Sequence, residues 1–167
     1  MALWREGGFA ENLWTLVADD AAMPEGAVLV SLARWRRERE HLSARTAPVG
    51  VEVSAGKDAL EHLVEAADRP LVALRFDKFG DGRAFSYAIL LRERHGFTGE
   101  LRAVGDVLLD ELPLMLRCGF TSFEIVDAPT LRALEAGRLP HFVLAYQPSF
   151  AKEAPAGTRP WLRRTAG

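Results

Sequence analysis

Cysteine is almost absent from this 167-residue chain. Cys118 alone rules out an internal disulfide and any cysteine-rich zinc or iron–sulfur site built within one copy. A reducing, cytoplasmic setting is therefore expected. Cys118 is expected to sit at a helix C-terminus just before Gly119, where the partial negative charge disfavours the thiolate needed for redox chemistry, so it reads as a buried structural thiol. His41, His62, His95 and His141 are scattered at no metal-ligand spacing, and no metal is expected. No run approaches the roughly 18 apolar residues of a membrane span, and the first residues carry Arg5, Glu6 and Glu11 where a secretory signal has its apolar stretch. Neither export nor insertion in a membrane is expected.

A basic surplus is missing too. The net charge is −2 and the pI near 6.1, which gives no general attraction to nucleic acid or to an anionic membrane. No Walker loop occurs. Gly80-x-Gly82 lacks the third small residue of a dinucleotide fingerprint, because Phe85 stands at that place. No cofactor is expected on these grounds. With 49% apolar and 26% charged residues, the chain reads as one soluble domain over 1–147 followed by a tail. The tail, 148–167, holds three prolines, Arg159, Arg163, Arg164 and Trp161, and is expected to be mobile or laid on the surface.

What is present is organised around 71–126. Leu71 to Phe76 is short and apolar, with Arg75 its one charge, as a strand buried on both faces should be. A turn at Gly80, Asp81 and Gly82 leads into a helix from about Ala84 to His95, with Phe85, Ala88, Ile89 and Leu91 inward and Arg92, Glu93 and Arg94 wet. The same alternation repeats: a strand at 101–104, a helix at 107–117, a strand at 123–126, a helix at 131–138 and a last strand at 142–146. Upstream, 49–53 alternates with period two and leads to a helix over 58–67 with Leu60, Leu63 and Val64 as its buried stripe. His62 falls at the edge of that stripe.

Ser31 is placed to cap the segment LARWRRERE, whose Arg34, Arg36, Arg37 and Arg39 read as a solvated face. At the start, strands at 2–5 and 12–17 around Gly7 and Gly8 read as a small hairpin (2–17) whose Trp4, Phe9 and Trp14 cover the main sheet. The fold class is therefore α/β: repeated βα units with a mainly parallel sheet, either doubly wound or an incomplete, half (β/α) barrel.

In such sheets ligands bind beyond the carboxyl ends of the strands. That selects Asp77, Lys78, Gly80, Asp81, Gly82 and Arg83 as a loop able to hold a small oxyanion or phosphate, unless its carboxylates and cations simply pair. It also selects Asp106 and Asp127, each readable as a general base or as a helix cap. Pro113, seven residues past Asp106, should make the helix there kink or restart.

The runs FDKFGDGRAFS (76–86), LLRERHGFTGELRAVGDVL (90–108) and LRCGFTSFE (116–124) resemble an uncharacterised bacterial family labelled a putative oxidoreductase linked to sulfite reduction. The likeness covers about 48–147. It implies a role in assimilatory sulfate or sulfite reduction, as an accessory or binding protein with sulfite reductase or another sulfur-assimilation protein as partner. It assigns no catalytic residue. Pro113 departs from the pattern, since the family usually has a helix-forming residue there. From the residues themselves, the alternative is an enzyme acting on a small anionic or phosphorylated substrate at the strand ends.

Overall fold

The structure, a computed structural model, describes residues 2–77 and 82–140, leaving aside the side chains of Lys57 and Asp58. Lys78, Gly80, Asp81, the expected strand at 142–146 and the tail at 148–167 lie outside the described residues.

The chain opens with β1 (Ala2–Arg5), β2 (Gly8–Ala10) and β3 (Thr15–Leu16). Then follow β4 (Val28–Ser31), the helices α1 (Leu32–Arg37) and α2 (Arg39–Ser43), and β5 (Val49–Ser54). Next come α3 (Lys57–His62) with a 3-10 turn at Leu63–Ala66, β6 (Leu71–Phe76), and α4 (Arg83–Ile89) with a π-helical turn at Leu90–Arg94. The last elements are β7 (Glu100–Gly105), α5 (Leu112–Arg117), β8 (Ser122–Ile125) and α6 (Ala128–Glu135).

All eight strands form one sheet in the order β2-β1-β8-β7-β6-β5-β4-β3. From β3 to β8 the order is sequential and every pairing parallel, while β1 and β2 add antiparallel at the β8 edge. A doubly wound sheet reverses its strand order partway and takes helices on both faces. Here nothing reverses, so the half-barrel is the arrangement found. Val28, Val30, Val49, Val51, Val53, Val72, Leu74, Leu101, Ala103, Phe123 and Ile125 all point into one core with the helices, and the alternate residues face the other way.

Chain length sets the curvature. β2 and β3 lie at opposite edges, about 34 Å apart if eight strands lay flat. Ala10 and Thr15 are five residues apart and can be separated by only about 18 Å. A 34 Å arc bent to a half circle brings its ends to about 22 Å, so the sheet curls at least that far.

The N-terminal hairpin is tighter than its sequence suggests. β1 pairs with β2, Trp4 opposite Phe9, and not with 12–17, whose Thr15 and Leu16 pair with β4 at the far edge. Trp4 does reach the core, against Phe123 at a centroid distance of 5.6 Å. Ser31 caps α1, accepting from the Arg34 amide at 3.0 Å. Arg34 is not on a wet face, however. It is buried, donating to the Ala18 carbonyl and to Glu38, and Trp35 beside it is fully enclosed. In α3 and the turn after it the buried residues are Ala59, Leu63 and Ala66, while Leu60 and Val64 are exposed. Ala59, Leu63 and Ala66 stand at i, i+4 and i+7, a regular helical stripe whose first and last members are small alanines, so the larger Leu60 and Val64 draw a hydrophobicity reading to the wrong face. His62 Nδ1 lies 2.9 Å from Glu65 Oε1, on the boundary of the helix layer.

Arg92 follows the inner stripe of α4, four residues after Ala88, through a π turn. The amide of His95 bonds to the carbonyl of Leu90, five residues back, and Arg92 turns inward instead of staying wet. Its guanidinium donates to the carbonyls of Phe97, Gly99 and Gly119 at 2.7–3.0 Å and lies 5.0 Å from the Phe97 ring. Burial pushes its pKa down from the ordinary arginine value. Ile89, expected inside, is exposed, and Tyr87 takes the inner place with its hydroxyl donating to the Gly56 carbonyl.

Candidate functional site

Two regions bear polar side chains that the fold concentrates. The first is the carboxyl end of the parallel strands. Phe76 pairs with Gly105, and the amide of Asp106 donates to the Phe76 carbonyl at 2.8 Å, so Asp77 and Asp106 leave the sheet from adjacent strands. Gly105 has φ +91, and a Cβ there would stand 2.4 Å from the Phe76 oxygen, which is why no larger residue fits. Both aspartates are exposed. Gly82 and Arg83 lie at the start of α4 and are exposed as well, but the rest of the proposed loop, Lys78, Gly80 and Asp81, is outside the described residues.

Asp127 is the N-cap of α6. Its Oδ2 accepts from the Thr130 hydroxyl at 2.6 Å and the Thr130 amide at 2.8 Å, and those bonds hold its pKa below the ordinary carboxylate value. The capping reading accounts for its contacts. Asp106 caps nothing, because α5 begins only at Leu112; residues 106–111 form turns instead of the first half of a helix. Pro113 lies in the first turn of α5, behind Asp110 and Glu111, as a restarted helix requires. Burial raises the Glu111 pKa, and the charges of Asp110 and Asp106 add to it. Among the described residues no group of three or more His, Cys, Asp or Glu could hold a metal ion.

The second region is the sheet face that carries no helix, and its polar pattern follows from strand register. Glu52 on β5, Arg75 on β6, Glu100 and Arg102 on β7, Ser122 and Glu124 on β8, and Arg5 on β1 all alternate with core residues and share this face. Arg75 grips Glu52 with two parallel bonds, Nε to Oε1 at 2.7 Å and Nη2 to Oε2 at 2.9 Å. That contact raises the Arg75 pKa against burial, with the charges of Asp77 and Glu124 assisting.

On the same face, Glu100 collects donors from three residues. Its Oε1 accepts from Arg102 Nη2 at 2.7 Å and the Ser122 hydroxyl at 2.6 Å, and its Oε2 accepts from Arg5 Nη2 at 2.8 Å. Burial alone would raise the Glu100 pKa; the Ser122 and Arg102 bonds outweigh it, and the carboxyl stays below its ordinary value.

Apolar residues floor the same face. Leu29, Leu71, Ala73 and Val104 form a second buried cluster under Trp14. Gly50 makes room for it, since a Cβ there would come within 3.0–3.2 Å of Leu71 and Leu29. Asn12, in the link from β2 to β3, accepts from Arg102 Nη1 at 2.9 Å. The link is thus a strap laid over the helix-free face.

Sequence reading singled out Arg75 but missed Glu52, Glu100, Arg102 and Ser122 as a set. The available signal was the recurrence of polar residues at period two, in E100-x-R102 and S122-x-E124, within strands otherwise apolar enough to be buried on both faces. Cys118 is buried at the C-cap of α5, and desolvation raises its thiol pKa.

Among the described residues no helix is long and apolar enough to cross a membrane. A family model described as "Bacterial protein of unknown function (DUF934)" matches residues 50–157. No curated protein matches the chain, and no solved structure does.

Proposed function

The chain belongs to this bacterial family, whose model spans 50–157, and we propose that it acts as an accessory or binding protein in assimilatory sulfate or sulfite reduction, contacting sulfite reductase or supplying its substrate. The observation that carries a partner-binding role is the outer helix layer. Leu60 and Val64 at the α3 turn, Ile89 on α4 and Leu114 on α5 are 39–53% exposed, on three successive crossovers of the half-barrel. Large aliphatic side chains gathered on one layer are the raw material of a protein interface. The link to sulfur assimilation comes from the family likeness of 76–86, 90–108 and 116–124.

The alternative, an enzyme for a small anionic or phosphorylated substrate at the strand ends, draws less support. Asp127 is engaged as a cap, and Asp77, Asp106, Asp110 and Glu111 crowd the described part of the rim with negative charge. An anion arriving there meets repulsion.

The test is genetic and biochemical together. Deletion of the gene is expected to slow growth on sulfate or sulfite but not on cysteine, and the purified protein is expected to form a complex with the sulfite reductase of the same organism. Leu60→Lys with Ile89→Lys should weaken that complex without unfolding the chain. Normal growth on sulfate together with no complex at micromolar concentrations would sink the reading.

A further inference from the structure

Among the described residues, the β3 edge of the sheet has no neighbour on its outer side. Thr15 and Val17 donate their amides to the carbonyls of Ala27 and Leu29 at 3.0 and 2.9 Å, so the amide and carbonyl of Leu16 between them point away from the sheet. Leu16 stands opposite Leu29 in register and therefore shares the helix-free face, at the margin of the floor that Trp14 covers. Its side chain is 58% exposed, and Leu13 on the strap is 71% exposed. Two leucines and a free strand edge thus meet solvent together.

Carboxylates rim this patch. Residues 6–33 hold Glu6, Glu11, Asp19, Asp20 and Glu25 and no lysine, arginine or histidine, and all five acids are exposed. Glu11 stands two residues before Leu13, Asp19 and Asp20 follow the carboxyl end of β3, and Glu25 comes two residues before Ala27, which meets β3 at its amino end. Arginines approach the stretch from behind: Arg34 and Arg37 reach the carbonyls of Ala18 and Asp19 while sharing Glu38, and Arg45 is held by the carbonyls of Pro24 and Gly26. Arg102 reaches Asn12 and shares Glu100 with Arg5. Five arginines against seven carboxylates, Glu38 and Glu100 included, leave a net charge of −2. Glu11, Asp20 and Glu25 have no hydrogen bond or ion pair among the described residues, so the surplus lies outermost.

The opposite charge stands in the same chain. Residues 154–167 carry Arg159, Arg163 and Arg164 around Trp161 and Leu162 and hold no acid. This stretch lies outside the described residues, and 159–164, like the strap, lies outside the part matched by the family model. Pro140, the last described residue, precedes Arg159 by nineteen positions, a reach of about 60 Å when extended, against a domain roughly 40 Å across. Tethering gives an effective concentration on the order of millimolar, so individually weak contacts suffice. A second copy's β3 edge is a poor occupant, because it would bring acid against acid. We propose that the acid-rimmed edge of β3 is a docking site for segment 159–164 of the same chain, laid extended along Leu16. Trp161 packs on Leu13 and Leu16, and the arginines meet Glu11, Asp19 and Asp20. Main-chain bonds to Leu16 supply affinity, and charge selects the segment. The docked segment holds the strap down on the helix-free face. None of this rests on a role in sulfur assimilation, and its readout needs no partner protein.

Hydrogen exchange of the Leu16 amide reads the docking in the full-length protein, since that amide points away from the sheet. In the wild-type chain it is expected to exchange on the order of tenfold more slowly than in a variant combining Trp161→Ala, Arg163→Ser and Arg164→Ser, while the amides of β6 and β7 exchange alike in both. Glu11→Lys with Asp20→Lys is expected to release Leu16 to the same extent, and adding Arg163→Glu and Arg164→Glu to that protein is expected to restore protection. Equal exchange at Leu16 in wild type and the tail variant, whether fast or slow, overturns the proposal. A charge-swapped protein as fast as its Glu11→Lys, Asp20→Lys parent overturns the pairing of arginines with these acids. Protection that is lost as the protein is diluted places the segment on a second copy and overturns docking within one chain. Should the lysine substitutions unfold the protein, the tail variant, which changes none of the described residues, still decides.

Discussion

The α-carbon of Gly105 sits beneath the carbonyl of Phe76 so closely that a methyl group on it would lie 2.4 Å from that oxygen. The neighbouring amide, on Asp106, donates to the same oxygen at 2.8 Å. Gly105→Ala must therefore move backbone at the ends of β6 and β7 as well as hold φ +91 with a side chain. We expect a loss of stability on the order of 3 kcal/mol, read by urea unfolding. A loss under about 0.5 kcal/mol would mean the two strand ends are free to separate.

Arg92 ties three stretches of chain through carbonyls: Phe97 and Gly99 in the link to β7, and Gly119 after α5. Arg92→Met keeps much of the stem but leaves those oxygens without their donor. The expected cost is on the order of 3 kcal/mol, with faster hydrogen exchange across 96–99. Arg92→Lys should recover only part, because an ammonium cannot spread its donors over the same fork. Equal stability of the Met variant and wild type would show that the link is held by other contacts.

Two glutamates should tilt the pH profile in opposite directions. The Glu100 pKa is lowered in the fold, so its contribution is present above the unfolded value and is lost as pH falls through the folded one. The Glu111 pKa is raised by burial and by Asp110 and Asp106, so its contribution is present below the unfolded value and is lost as pH rises through the folded one. Glu111→Gln is thus expected to be more stable than wild type at pH 7, with the gain shrinking in acid. Glu100→Gln should lose stability at pH 7 and show a shallower acid transition. Measured Tm from pH 3 to pH 8 checks both, and a gain from Glu100→Gln at neutral pH would contradict the assignment.

Pro113 stands in the first turn of α5, where its missing N–H has no helical partner to lose. Pro113→Ala should therefore not stabilise the protein. Greater freedom of the unfolded chain is expected to lower stability by roughly 0.4–1 kcal/mol. An increase in Tm would show that the ring is strained against its neighbours in the fold.

Pro113 marked the interruption, because proline acts through local covalent geometry, but the helix expected over the residues before it is absent and α5 begins only at Leu112. The parallel strands were legible, since apolar runs between helical periods carry their own signature, as at Leu71–Phe76. The inward turn of Arg92 and the exposure of Leu60 and Val64 were not. In both helices the buried positions keep regular spacing, Ala59, Leu63 and Ala66 in one and Ala84, Ala88, Leu91 and Arg92 in the other, but alanines and an arginine line those faces, and hydrophobicity does not mark them as core. The choice between a doubly wound sheet and a half-barrel depends on strand order, which βα periodicity does not encode. The cluster of Arg5, Asn12, Glu100, Arg102 and Ser122 joins residues up to 117 positions apart, and only register brings them together.

The pairing of β1 with β8 carries a kinetic consequence. Every parallel neighbour in the sheet is joined by a short crossover, so the units from β4 to β8 can assemble progressively from local contacts. β1 must instead find residues about 120 positions later, a closure that costs about 4 kcal/mol of chain entropy if made in the unfolded state. Made after the parallel strands have docked, most of that cost has already been met. Of these eight strands, one made early is thus the last to find its place, and until it does the β8 edge stays open to any other strand that comes by.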